Sequence, residues 1–164
     1  MTTMRRIGRP NGFTLVELVV TVTIVGVIAA LAVPSMRQLY LTQQVRGAAA
    51  DLQSALYYAR SEAIKRAVDV RIVPASNDWR QGWIVQLASG GAALRSQSAL
   101  SDQLSSMSGS TTLTYRNDGH LTAVPGAIAF RTSNTSIEAR CVIVDLSGRP
   151  SVVYASDSAS DGCT

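Results

Sequence analysis

Hydrophobic and polar positions follow three regimes along this chain. From Phe13 to Met36 the sequence is apolar almost without interruption, 24 residues holding one charge, Glu17. Beyond it Val45, Ala49, Leu52, Leu56, Ala59 and Ala63 recur at spacings of 4, 3, 4, 3 and 4, the stripe of an amphipathic helix. Arg46, Asp51, Gln53, Arg60, Glu62 and Lys65 are available to its other faces. The first two regimes join into one predicted helix from about Thr14 to Arg66, roughly 80 Å long at 1.5 Å per residue.

Past Arg66 the pattern changes to short runs with β character: "VDVRIVP", "GWIVQLA", "TLTYRNDGHLTAV", "AIAFRTS" and "ARCVIVDLSGRPSVVYA". "RNDGHL" and "DLSGRP" are hairpin signals with Gly where φ must be positive, and such short links favour antiparallel pairing. The Ser/Gly-rich stretch from Ser89 to Ser110 reads as a long mobile loop with at most one short strand. No internal repeat and no second domain is visible. The expected fold class is α+β, a long N-terminal helix packed on a C-terminal antiparallel β-sheet domain.

The apolar run is too long for a secretory signal, and no small-residue cleavage site closes it. Phe13 to Met36 spans roughly 36 Å as a helix, enough for a hydrocarbon core of about 30 Å. Arg5, Arg6 and Arg9 precede it, which predicts the leader inside and the C-terminal domain outside. Glu17 does not fit a plain span, because a carboxylate in the membrane costs roughly 2.5–3.5 kcal/mol on insertion scales. It either snorkels to the interface one turn away or pairs with a cation at the same depth. No Lys or Arg in the apolar run can supply that cation, but a new amine could, were the chain cut just before Phe13.

Composition adds bounds. The chain has 164 residues, 46% of them hydrophobic, and a mean hydropathy of +0.15. The net charge of +4 belongs mostly to the leader: without its three arginines, 12 basic residues face 11 acidic ones, about +1. The basic balance is therefore weak support for a nucleic-acid partner. The two cysteines, Cys141 and Cys163, lie in no metal-binding pattern. In an exported domain they read as a disulfide closing a loop of about 20 residues, worth about 3 kcal/mol in the chain-entropy model. Two reduced buried thiols are the alternative for a domain facing the cytoplasm.

"GFTLVE" at Gly12 to Glu17, behind a short basic leader and ahead of an apolar helix, resembles the type IV prepilin signal. That resemblance implies cleavage between Gly12 and Phe13 by a prepilin peptidase, then methylation of the new amine. It implies that Glu17, fifth in the mature chain, pairs with the amine of a neighbouring subunit during filament assembly. Gly26 and Pro34 match the family's helix-weakening positions. Gly costs about 1 kcal/mol and Pro about 3 kcal/mol against Ala in a helix, so a melted or kinked segment is expected between them. "YYARSEAIKR", "DWRQGW", "NDGH" and "LSGRP" further resemble the GspH/FimT/FimU group of minor pilins and pseudopilins. The implied organisation is pilin-like: leader 1–12, membrane-spanning or filament-core helix 13–36, amphipathic continuation 37–66 and β-rich head 67–164. Trp79 and Trp83 read as turn and strand residues that cover the sheet.

An enzyme reading finds little. His120 is the single histidine and lies in a hairpin signal, and the serines sit in no GxSxG or SxxK arrangement. No phosphate-binding or dinucleotide fingerprint occurs, and Asp157 and Asp161 miss the EF-hand spacing. No cofactor or metal is expected. The resemblance therefore points to a non-enzymatic minor pilin that primes type IV pilus assembly near the filament tip. Its partners would be other minor and major pilins, the prepilin peptidase and the inner-membrane assembly platform. It would sit in the inner membrane with a periplasmic head, then in an extracellular pilus or a periplasmic pseudopilus. One alternative is a DNA-binding minor pilin. Gly148-Arg149-Pro150-Ser151 then stands where that group carries Gly-Arg-x-Arg, Ser151 replacing the second arginine, with Arg140, Arg131 and Arg116 as candidates to share a face with Arg149. Another is a GspH-like pseudopilin of type II secretion.

Overall fold

The computed structural model describes residues 12–108, 112–155 and 163. The basic leader ahead of Gly12 lies outside them, as do Asp157 and Asp161. One helix, α1, runs Leu15–Arg66, and the chain divides into two units, 1–37 and 38–164.

In the first unit every described residue is exposed. The hydroxyls on this part of α1 turn back onto the helix's own carbonyls. Thr21 donates to Glu17 and Leu18, Thr23 to Val19 and Ser35 to Ala32, at 2.7–2.9 Å. The outer surface is thereby left almost entirely hydrocarbon, the condition a helix in lipid must meet. The backbone is helical throughout Gly26–Pro34. Pro34 removes one donor, and the remaining ladder carries the helix through it.

In the second unit the expected stripe of α1 is buried, widened by Leu41, Ala48 and Ala55. The helix ends where Ala67 takes a left-handed φ of 55° and Val68 N–H donates to the Ala63 carbonyl at 3.3 Å. The last turn is braced by Glu62, whose carboxylate accepts from Arg66 Nε at 2.6 Å.

Eight strands follow: β1 Val70–Pro74, β2 Trp83–Leu87, β3 Arg95–Gln97, β4 Leu104–Ser108, β5 Leu113–Tyr115, β6 Ile128–Thr132, β7 Arg140–Val144 and β8 Pro150–Tyr154. They form two antiparallel sheets, ordered β3-β2-β1-β5 and β4-β6-β7-β8. The Ser/Gly-rich stretch is thus not a loop with at most one strand, since it supplies both β3 and β4. Each takes a sheet edge, where one strand neighbour suffices, and Leu104 is the apolar residue that anchors β4 in the core. Polar, serine-rich strands without an apolar alternation carry no signal until a neighbour offers its backbone.

A single core joins α1 residues to both sheets, with Trp79, Trp83, Tyr115 and Phe130 its largest members. Both tryptophans are 1% exposed, their ring centroids 6.3 Å apart. They are interior packing rather than a cover. Both predicted hairpins form. The turn 116–120 is closed by Arg116 N–H to the His120 carbonyl at 2.8 Å and by a Tyr115–Leu121 bridge. The turn 145–149 joins β7 to β8. The two turns touch, with Leu121 N–H donating to the Leu146 carbonyl at 3.1 Å.

Candidate functional site: the helix start and the head arginines

The start of α1 carries the chemistry the sequence singles out. Gly12, Phe13 and Thr14 are outside the helix and exposed, so the Gly12–Phe13 peptide bond stands clear of helical hydrogen bonding. Thr14 is the N-cap. Its hydroxyl accepts from Glu17 N–H at 3.2 Å and its carbonyl from Leu18 N–H at 3.1 Å. This arrangement went unread in the sequence, although Thr-x-x-Glu before an apolar run signals it. The cap places Glu17 in the first turn, where the positive end of the helix dipole favours an anion. Among the described residues the Glu17 carboxylate has no ion pair or hydrogen bond. It is surrounded by exposed Leu15, Val16, Leu18, Val19 and Val20. A charge alone on a hydrocarbon surface can bring a cation on another chain into one axial position.

The four candidate DNA-contact arginines do not share a face. Arg149 lies in the β7–β8 turn, exposed, its backbone N–H donating to Asp145 at 3.0 Å. Arg116 is in the touching turn, 3.4 Å from Asp118. Arg140 and Arg131 lie at the other end of the sheet, Arg140 at the far end of β7 and opposite Phe130, the neighbour of Arg131. Four residues of strand, about 14 Å, separate Arg140 from the turn. Each turn arginine also has an aspartate beside it, which cuts the local positive potential.

Those aspartates are tuned by the turns themselves. Asp145 is held below the ordinary carboxylate range chiefly by the Ser147 hydroxyl, then by Arg149 N–H. Asp118 is lowered by the His120 backbone N–H and then by the Arg116 charge. His120 itself is exposed, with Nδ1 3.5 Å from Asp118, a turn residue rather than a base in a cleft. Behind the turns Tyr115 is fully buried. Burial pushes its phenol far up, so it stays neutral, and among the described residues its hydroxyl has no hydrogen-bond partner.

The two cysteines are joined, Cys141 in β7 to Cys163, with Cα atoms 5.7 Å apart. Among the described residues no group of three or more His, Cys, Asp or Glu side chains is placed to hold a metal.

A capped, apolar, exposed helix bearing one carboxylate, continuous with a helix built into a two-sheet head, defines a pilin-type subunit. Residues 8–33 match the prokaryotic N-terminal methylation motif, and residues 48–148 match the profile of the type II transport protein GspH. The chain belongs to the GspH family. Among solved structures it is similar to the type IV minor pilin FimU of Pseudomonas aeruginosa strain PAO1 in two crystal forms. One match has 25% identity and a TM-score of 0.60 over 68% of this chain and 89% of that one. The other has 26% identity and a TM-score of 0.57 over 66% and 91%. No curated protein matches the chain.

Proposed function

We propose that this subunit is a minor pilin of the FimU/FimT kind, cut between Gly12 and Phe13, that helps prime pilus assembly and stays near the filament tip. The observation that carries the reading is the lone exposed carboxylate of Glu17 on an otherwise apolar helix start. In the membrane it accepts the methylated N-terminal amine of a neighbouring subunit and sets the axial register, while the surrounding side chains pack helix against helix. Gly26 and Pro34 lower the cost of local unwinding on entry into the filament. The head faces the periplasm before assembly, in keeping with its disulfide.

Intact-mass analysis of membrane-extracted protein should give a chain starting at methylated Phe13. Glu17→Ala should still be processed but fail to enter filaments; normal incorporation would sink the register role. The matched family description favours a second reading, a pseudopilin of type II secretion. Deletion separates the two, because the first predicts loss of piliation with secretion intact and the second the reverse. We do not extend the reading to DNA, since Arg149 and Arg116 each stand beside an aspartate and away from Arg140 and Arg131.

A further inference from the structure

The first turn of α1 is fixed by one side chain. The helix begins at Leu15, with Gly12, Phe13 and Thr14 exposed and outside it. The Thr14 hydroxyl accepts from Glu17 N–H at 3.2 Å, and the Thr14 carbonyl accepts from Leu18 N–H at 3.1 Å. By sequence the chain offers earlier starts, since Asn11 and Gly12 are residue types that also occupy N-cap positions. A helix begun from either would take the Gly12 carbonyl into its hydrogen-bond ladder, accepting from the N–H of Val16 four residues on. That carbonyl belongs to the Gly12–Phe13 bond. The choice of cap therefore decides whether the bond lies ahead of the helix or inside it.

Hydrolysis needs that carbonyl open. Water adds at the Gly12 carbonyl carbon, the bond to the Phe13 nitrogen breaks, and a carboxylate on Gly12 and an amine on Phe13 result. A helical hydrogen bond to the carbonyl oxygen, and the turn wrapped around it, would obstruct the approach. The match of residues 8–33 to the N-terminal methylation motif points independently to processing at this place. We propose that Thr14 is a positioning residue for the cleavage: its cap holds the helix start at Leu15 and so keeps the Gly12–Phe13 bond outside the helix, within reach of the peptidase. Thr14 acts through the helix start and touches neither the water nor the scissile carbonyl. The inference rests on the processing reading above and adds the device that presents the bond.

The test uses the full-length precursor in detergent with a purified prepilin peptidase, cleavage being timed at several substrate concentrations and the cut located by intact mass. Thr14→Val keeps the shape of the side chain and removes the hydroxyl acceptor. A precursor that spends part of its time with the bond inside the helix binds the peptidase less well in proportion. KM should therefore rise, by up to about fivefold for a lost cap of typical strength, with kcat unchanged. Thr14→Asn and Thr14→Gly, which cap without the shape of threonine, should keep KM close to that of the native chain. Three outcomes would overturn the proposal: an unchanged KM in Thr14→Val, a lower kcat at unchanged KM, or Thr14→Asn and Thr14→Gly as impaired as Thr14→Val, which would mean that the peptidase reads the threonine itself. A native precursor left uncut would remove the processing reading instead.

Discussion

Replacing Gly148 by alanine should be among the most damaging single-methyl additions to the head. Gly148 has φ of +76°, a conformation that costs an L-residue about 1 kcal/mol. The added Cβ would lie 2.2 Å from the Gly119 carbonyl oxygen and 2.9 Å from Cε1 of Tyr115. Neither can retreat freely. The Gly119 oxygen accepts from Arg60 Nε at 3.1 Å, and the Tyr115 ring is fully buried. Relief requires the two touching turns to part by about 1 Å, which breaks the Arg60–Gly119 and Leu121–Leu146 hydrogen bonds, each worth about 1 kcal/mol net. The sum is about 3 kcal/mol. For the 127 residues of the second unit it corresponds to a fall in midpoint of about 10 °C. The two buried tryptophans report head unfolding alone. Gly90→Ala is the matched control, since Gly90 has φ of +92° but open space where the Cβ would go. It should lose only the backbone part, about 4 °C. Equal losses in the two variants would refute the role assigned to turn contact.

Reduction of the Cys141–Cys163 bond, or its replacement by two serines, should cost about 3 kcal/mol from the freed loop alone; an unchanged midpoint would remove the disulfide from the stability of the head. Lowering pH should destabilise the head only below the usual carboxylate range. Glu62 is held down by its Arg66 hydrogen bond. Burial pushes Asp78 up, but hydrogen bonds from Ser106 and Arg80 outweigh it and leave it lowered. With Asp118 and Asp145 also lowered, these groups stabilise the fold above their unfolded pKa values, and that contribution is lost as pH falls through the folded ones. Urea unfolding should therefore give a free energy that is flat from about pH 7 to 5 and falls below about pH 4. Stability unchanged at pH 3 would contradict the assignment.

What could be read along the chain was local. The period of the amphipathic stripe, the turn residues of "RNDGHL" and "DLSGRP" and the apolar run with its single acid each concern neighbours within a few residues. Their physical content survives folding, and the elements formed where they point. Thr14 as N-cap was legible by the same kind of rule. β3 and β4 were not, because "RSQ" and "LSSMS" become strands only when β2 and β6 offer them a backbone edge.

By itself, then, the sequence determined that a long apolar helix leads into an amphipathic one and a β-rich head, and that Glu17 is the one charge in the apolar run. Tertiary structure alone decided that the head has two sheets, that the tryptophans are interior, that the four candidate arginines stand at opposite ends and that Arg140 is buried. Such outcomes depend on contacts like Arg60 with Gly119 and Gln53 with Pro150, 59 and 97 residues apart. Burial and charge pairing are properties of what packs alongside, and no local pattern encodes the register that brings those partners together.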